Sequence, residues 1–177
     1  MQPNLNKETN HERNRSLRPG DVRFEDRETP KIVEPTDAVI RIAATCVCGS
    51  DLWPYRGLQP INEPTPMGHE YCGIVEEMGR AVQSLKPGQF VVGSFATSDN
   101  TCPNCRYGYQ SSCIHREFMT RAQAPVLRVP LADGTLVPTP DVPLDELVPS
   151  LLTTSLSVRG RLEQFEQREQ TTLPQVR

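Results

Sequence analysis

Proline removes a backbone donor and glycine loosens the backbone, and this chain places 17 prolines and 11 glycines among its 177 residues. Punctuation of that density disfavours long helices and favours short elements joined by turns. Between the breaks lie stretches that suit half-buried strands. Val22 and Phe24 alternate with charges, and residues 37–46 (Asp-Ala-Val-Ile-Arg-Ile-Ala-Ala-Thr-Cys) are rich in small and β-branched side chains. Further short strands are predicted at 71–78, 89–95 and 126–129, set apart by Gly79 and by the Pro87-Gly88 turn. Short strands with turn signals between them predict a mainly β fold, a barrel or a sandwich.

The length allows one domain with a core, or one domain with disordered ends. Residues 1–18 are polar and are expected to be a disordered tail, with His11 a solvated bystander. A folded domain is expected over 19–155. Residues 144–152 have the composition of a helix start, whereas 159–170 are almost wholly polar apart from Leu162 and Phe165, so 156–177 are expected to be an unfolded polar tail. Lys and Arg number 19 against 22 Asp and Glu. That balance lacks the basic excess that concentrates a protein on nucleic acid or on an anionic membrane. No apolar run approaches the roughly 20 residues of a bilayer span, and the N-terminal residues hold no apolar signal core. A cytoplasmic location is expected, where six cysteines serve as thiols or metal ligands rather than disulfides. Cys46 and Cys72 fit small buried hydrophobes.

The other four cysteines fall in ligand-like patterns. Cys48 lies just after the predicted strand 37–46, and His69, followed by Glu70, lies just before the next one. A hairpin-like return would bring thiolate and imidazole together, a donor pair suited to zinc with a position left open for water or substrate. A second set, Asp99, Cys102, Cys105 and Cys113, sits on one short loop and can close a tetrahedron with little strain. A carboxylate is a poorer zinc donor than a thiolate. His115 is an alternative fourth ligand, ranked below Asp99 because positions 99, 102 and 105 are evenly spaced. Two zinc sites are expected.

These stretches, taken in order, resemble a known family. Cys48-Gly49-Ser50-Asp51-Leu52-Trp53, Gly68-His69-Glu70-Tyr71-Cys72-Gly73-Ile74-Val75, the Lys86-Pro87-Gly88 turn and the cysteine lobe at 99–113 are similar to the zinc-dependent medium-chain alcohol dehydrogenases, over about residues 20–155. The resemblance implies the family's N-terminal catalytic domain, a mainly β, GroES-like, partly open barrel with a structural zinc lobe and few short helices. It implies an NAD(P)-dependent alcohol or aldehyde oxidoreductase in which zinc acts as a Lewis acid. Cys48 and His69 would be ligands of the catalytic zinc. Glu70 would be a nearby carboxylate that orients the site or enters coordination during ligand exchange. Ser50 matches the hydroxyl that takes the substrate proton, and Trp53, at a position that is histidine in some members, would line a substrate pocket. Asp99, Cys102, Cys105 and Cys113 match the structural zinc lobe, with aspartate in place of the first cysteine.

Three departures accompany the likeness. The barrel's first strand would fall within the polar stretch ending at Arg18, and is expected to be missing. The family's third catalytic ligand, an Asp or Cys, would fall near 154–158, where the chain reads Thr153-Thr154-Ser155-Leu156-Ser157-Val158. No G-x-G-x-x-G occurs anywhere, so the cofactor-binding domain, and with it the NAD(P) of a full-length relative, is expected to be absent. A truncated or frame-shifted product, inactive alone, is the expectation. The contrasting expectation is a non-enzymatic zinc-binding module that associates with itself or with a full-length relative. A zinc-finger-like nucleic-acid binder is disfavoured, because the basic face is lacking.

Overall fold

The structure, a computed structural model, describes residues 11–139. The strands there are β1 (His11–Arg18), β2 (Asp21–Arg27), β3 (Ala38–Cys46), β4 (Thr65–Pro66), β5 (Glu70–Met78), β6 (Phe90–Gly93), β7 (Val126–Val129) and β8 (Leu136–Pro138). Three single-turn helices intervene, α1 (Leu52–Tyr55), α2 (Pro103–Arg106) and α3 (Ala132–Thr135). The strands expected from sequence correspond to β3, β5, β6 and β7, with ends displaced by no more than two residues. The helix start expected at 144–152, the residues at 153–158 and the polar stretch 156–177 lie outside the described residues.

β7, β3, β5, β6 and β8 form one antiparallel sheet in that order, with β7 and β8 as its unjoined edges among the described residues. The sheet is therefore open. Its β-branched inner face makes the core: Ala38 and Ile40 of β3, Tyr71 and Val75 of β5, Val91 of β6, Val129 of β7 and Leu136 of β8, closed by Met119 and Ala132. Each large side chain taken out of water there contributes roughly 1.5–3 kcal/mol. Along β3 the burial is continuous from Ala38 to Ile40 and alternates beyond Arg41, so one face of the strand opens to solvent as it nears Cys46. That opening is where the first ligand set assembles.

Residues 11–18, expected within a disordered tail, instead form β1. The strand pairs antiparallel with β2 from His11↔Arg27 to Arg18↔Asp21 and on its other edge with β4 through Arg15↔Pro66 and Ser16↔Thr65. Its ordering comes from main-chain pairing on both edges, which polarity does not forbid. A strand therefore stands in the polar stretch where the barrel's first strand was expected to be missing.

Two contacts fix the frame. Asp37 is fully buried, and its carboxylate accepts the N–H groups of Val33 (2.9 Å) and Glu34 (2.7 Å) and both Nε (2.6 Å) and Nη2 (3.2 Å) of Arg128. It ties the turn before β3 to β7. Gly93, opposite Tyr71 in the β5–β6 ladder, lies under the phenol ring, and a Cβ there would fall 1.9 Å from Tyr71 Cε2. The Tyr71 hydroxyl donates to the carbonyl of Ser94 at 3.2 Å, which holds the ring in place. Gly93→Ala is expected to cost about 1–3 kcal/mol, because the ring must leave its position to admit the methyl. Urea unfolding checks it, and an unchanged midpoint would contradict the packing described.

Candidate metal centres

The chain leaves β3 at Cys46 and turns sharply through a single 3-10 turn, Gly49–Asp51. Cys48 starts that turn, and its N–H donates to the carboxylate of Asp51 at 2.8 Å. His69 arrives from the other side, one residue before β5. Gly68 makes that approach possible. Its φ is +89°, its carbonyl accepts the N–H of Ala122 (3.0 Å), and a Cβ would lie 2.6 Å from the main-chain nitrogen of Gln123. Glu70, the first residue of β5, pairs with Cys46 and is 9 % exposed. The hairpin return anticipated from sequence therefore forms. One donor atom from each of Cys48, His69 and Glu70 can be chosen so that all lie within 4.8 Å of one another.

The electrostatics of this cluster suit a cation. Hydrogen bonds from the hydroxyl and N–H of Ser50 draw the Cys48 thiol below its ordinary range, with His69 adding to the effect against burial and the Glu70 charge. Burial raises the Glu70 carboxyl. The carboxylate of Asp51, 3.4 Å from His69 Nδ1, raises the imidazole to about 9, and the Cys48 sulfur adds to that pull against burial. A field that holds a proton this firmly also favours a metal ion, and Asp51 turns the ring so that Nε2 is the nitrogen left for it. Sequence reasoning quoted Asp51 within its motif but gave it no part in orienting His69. Phe95, which carried no signal, packs edge-on to His69 with centroids 6.1 Å apart and stacks on Phe118 at 5.5 Å. Trp53 stands on α1 and is 57 % exposed.

The second set is more enclosed. Cys102 caps the N-terminus of α2, its sulfur accepting the N–H of Cys105 at 3.5 Å, and Pro103 supplies the fixed φ of the first turn. Its Sγ lies 3.4 Å from that of Cys105 and 3.9 Å from that of Cys113, while Cys113 Sγ is 3.5 Å from Asp99 Oδ1. All three cysteines are buried against one another, and with Asp99 they offer four donor atoms within 4.8 Å. Burial pushes the Cys105 thiol up, reinforced by the neighbouring sulfurs. Cys102 is drawn the other way despite burial, by the N–H groups of Cys105 and Ile114. A cation placed among these sulfurs would hold several thiolates together.

His115, the alternative fourth ligand, takes a different place. Its Nδ1 lies 2.6 Å from Asp99 Oδ2, the oxygen facing away from the sulfurs, and its ring is largely exposed. Burial opposes ionisation of Asp99, but His115 and the N–H groups of Thr101 and Cys102 hold the carboxyl well below the usual carboxylate range. His115 thus aims Oδ1 at the sulfur triad. His115→Ala is expected to weaken metal retention at the lobe about 10- to 100-fold, and His115→Gln to restore part of it. Competition with a chromogenic chelator measures both, and equal affinities throughout would remove His115 from the account.

Comparisons with known proteins identify a family with this fold. The profile of the alcohol dehydrogenase GroES-like domain matches residues 34–147. A zinc-type alcohol dehydrogenase B of Aspergillus flavus is 38 % identical over 128 residues, covering 70 % of this chain and 30 % of that protein. Among solved structures, the alcohol dehydrogenase TADH from Thermus sp. ATN1 superposes with a TM-score of 0.67 at 32 % identity, over 73 % of this chain and 40 % of that one. Zinc dependent alcohol dehydrogenase 2 from Streptococcus pneumonia gives a TM-score of 0.69 at 36 % identity, over 80 % of this chain and 41 % of that one. The chain spans less than half the length of each of these relatives.

Proposed function

We propose, for a chain that belongs to the zinc-type medium-chain alcohol dehydrogenase family through its GroES-like domain, that residues 11–139 form the metal-binding half of an alcohol or aldehyde oxidoreductase. The convergence of Cys48, His69 and Glu70 donors carries this reading. Cys48 and His69 hold the metal, and Glu70 stands beside it as an orienting or exchangeable carboxylate. Bound at this centre, zinc supplies Lewis acidity that eases deprotonation of an alcohol, whose hydride passes to NAD(P). Ser50, beside the Cys48 sulfur, offers a hydroxyl to receive the substrate proton. Asp51 keeps the His69 ring oriented. Asp99, Cys102, Cys105 and Cys113 hold a second zinc with a structural role. Among the described residues no helix is long and apolar enough to cross a membrane, and the free thiols suit the reducing cytoplasm.

Elemental analysis tests the assignment. Two zinc atoms per chain are expected, falling to one in His69→Ala, and two retained in that variant would overturn the first centre. Assayed alone with NAD or NADP, the 177-residue chain is expected to turn over no primary or secondary alcohol. The sequence has no glycine-rich phosphate turn and neither Asp nor Cys at 153–158. Robust NAD reduction would contradict this.

A further inference from the structure

We propose that a groove between β2 and β7, formed by residues distinct from both metal centres, binds a phosphate group. The groove has a volume of about 790 Å³ and is walled by the end of β2, by residues 28–31 and Val33, by Arg121 and by Leu127 and Arg128 of β7. Its lining carries four cations, Arg27, Lys31, Arg121 and Arg128, against the carboxylates of Asp26 and Glu28. Two of the cations are committed. Arg27 donates to Glu25 at 2.9 Å, and Arg128 is clamped by the buried Asp37, a bond that uses Nε and Nη2 and leaves Nη1 as a fixed donor. Lys31 and Arg121 have no hydrogen-bond or ion-pair partner among the described residues, so their charge is available to an anion.

Arg121 adds a second, independent sign. Its φ is +76°, a left-handed conformation that a side chain with a Cβ adopts only against strain and that glycine adopts freely. A glycine would occupy the same backbone at lower cost. What the arginine adds is a planar guanidinium at the groove, a shape that meets phosphate through two parallel hydrogen bonds. A phosphate bridging Arg121 and Lys31, with Arg128 as a preset donor, satisfies groups left unpaired among the described residues. Asp26 in the same lining accepts a hydrogen bond from a hydroxyl of a phosphate ester.

The experiment is calorimetric titration of the zinc-loaded chain with inorganic phosphate and with ribose 5-phosphate, at ionic strength held constant with sodium chloride. Saturable binding of both is expected. Equal affinity assigns the site to the phosphate group alone, and tighter binding of the ester brings Asp26 into it. Arg121→Gly is expected to weaken binding by at least about tenfold while leaving the thermal unfolding temperature unchanged or raised, which separates loss of the site from loss of the fold. Lys31→Met, on an exposed and unpaired side chain, serves as the second variant with the same expected direction. Absence of saturable binding to the parent chain, or unaltered affinity in both variants, would overturn the proposal. Neither variant touches a metal ligand, so zinc content at two per chain stands apart from this outcome.

Discussion

Cys105→Ser is expected to reduce the zinc content of the purified chain from two atoms to one and to lower its Tm by roughly 10 °C. The size of the effect follows from how little else holds the lobe together. Its buried side chains are the three cysteines themselves, whereas Tyr107, Tyr109 and Ile114 are all exposed. A segment without an apolar core of its own relies on the ion for cohesion, and metal-binding free energy there is folding free energy. Free zinc a thousandfold above the dissociation constant stabilises a protein by about 4 kcal/mol, and each kcal/mol moves Tm by about 2–4 °C at this chain length. Chelation of the parent with EDTA should reproduce the shift without any substitution. Retention of two zinc atoms by the variant, or a Tm indifferent to EDTA, would show that the four donors meet for another reason.

Asp37→Ala is expected to cost about 2–3 kcal/mol at neutral pH, less than breaking a fully buried ion pair, because the Arg128 side chain left behind is 32 % exposed and water can meet its charge. Removing the carboxylate strands the guanidinium of Arg128 and orphans the N–H groups of Val33 and Glu34 in one step. Urea unfolding measures the loss, and Asp37→Asn should recover only part of it, since an amide cannot pair with the arginine. Burial works to raise the Asp37 carboxyl, but the bonds from Arg128, Glu34 and Val33 outweigh it, so its folded-state pKa lies below the ordinary value. A depressed pKa contributes stability above the unfolded value of about 3.9 and loses it as pH falls through the folded one. The gap between parent and Asp37→Ala should therefore be constant near neutrality and narrow in acid below about pH 4. A gap that widened on acidification would contradict the pairing.

How far the fold could be read from composition and pattern depended on what held each element. β3 and β5 announced themselves because their β-branched residues are the core, and β6 and β7 because turn residues flank apolar runs. β1 was misjudged: its sequence, His-Glu-Arg-Asn-Arg-Ser-Leu-Arg, offers little to bury, and main-chain pairing with β2 and β4 supplies the order. The single-turn helices are too short to carry a 3.6-residue period. At the metal centres, ligand identity was legible because donor atoms are fixed by residue type, and the Cys-x-x-Cys spacing bounded the geometry. Asp51 behind His69 and His115 behind Asp99 were not. Which carboxylate meets which imidazole depends on how turns aim side chains, and His115, weighed as a ligand, serves Asp99 from the outer side instead.

The two donor sets differ in how far along the chain they must be gathered. Asp99 and Cys113 belong to one compact loop whose ends nearly meet. Cys48 and His69 stand at the mouth of a hairpin that exists only once β3 and β5 have found their register, an event limited by closure of the intervening chain. During synthesis or refolding, then, the lobe can capture its ion early and locally, while the other centre fills last. Under scarce zinc the population would divide into chains with one ion and chains with two, and the missing ion would be the one beside Cys48 and His69.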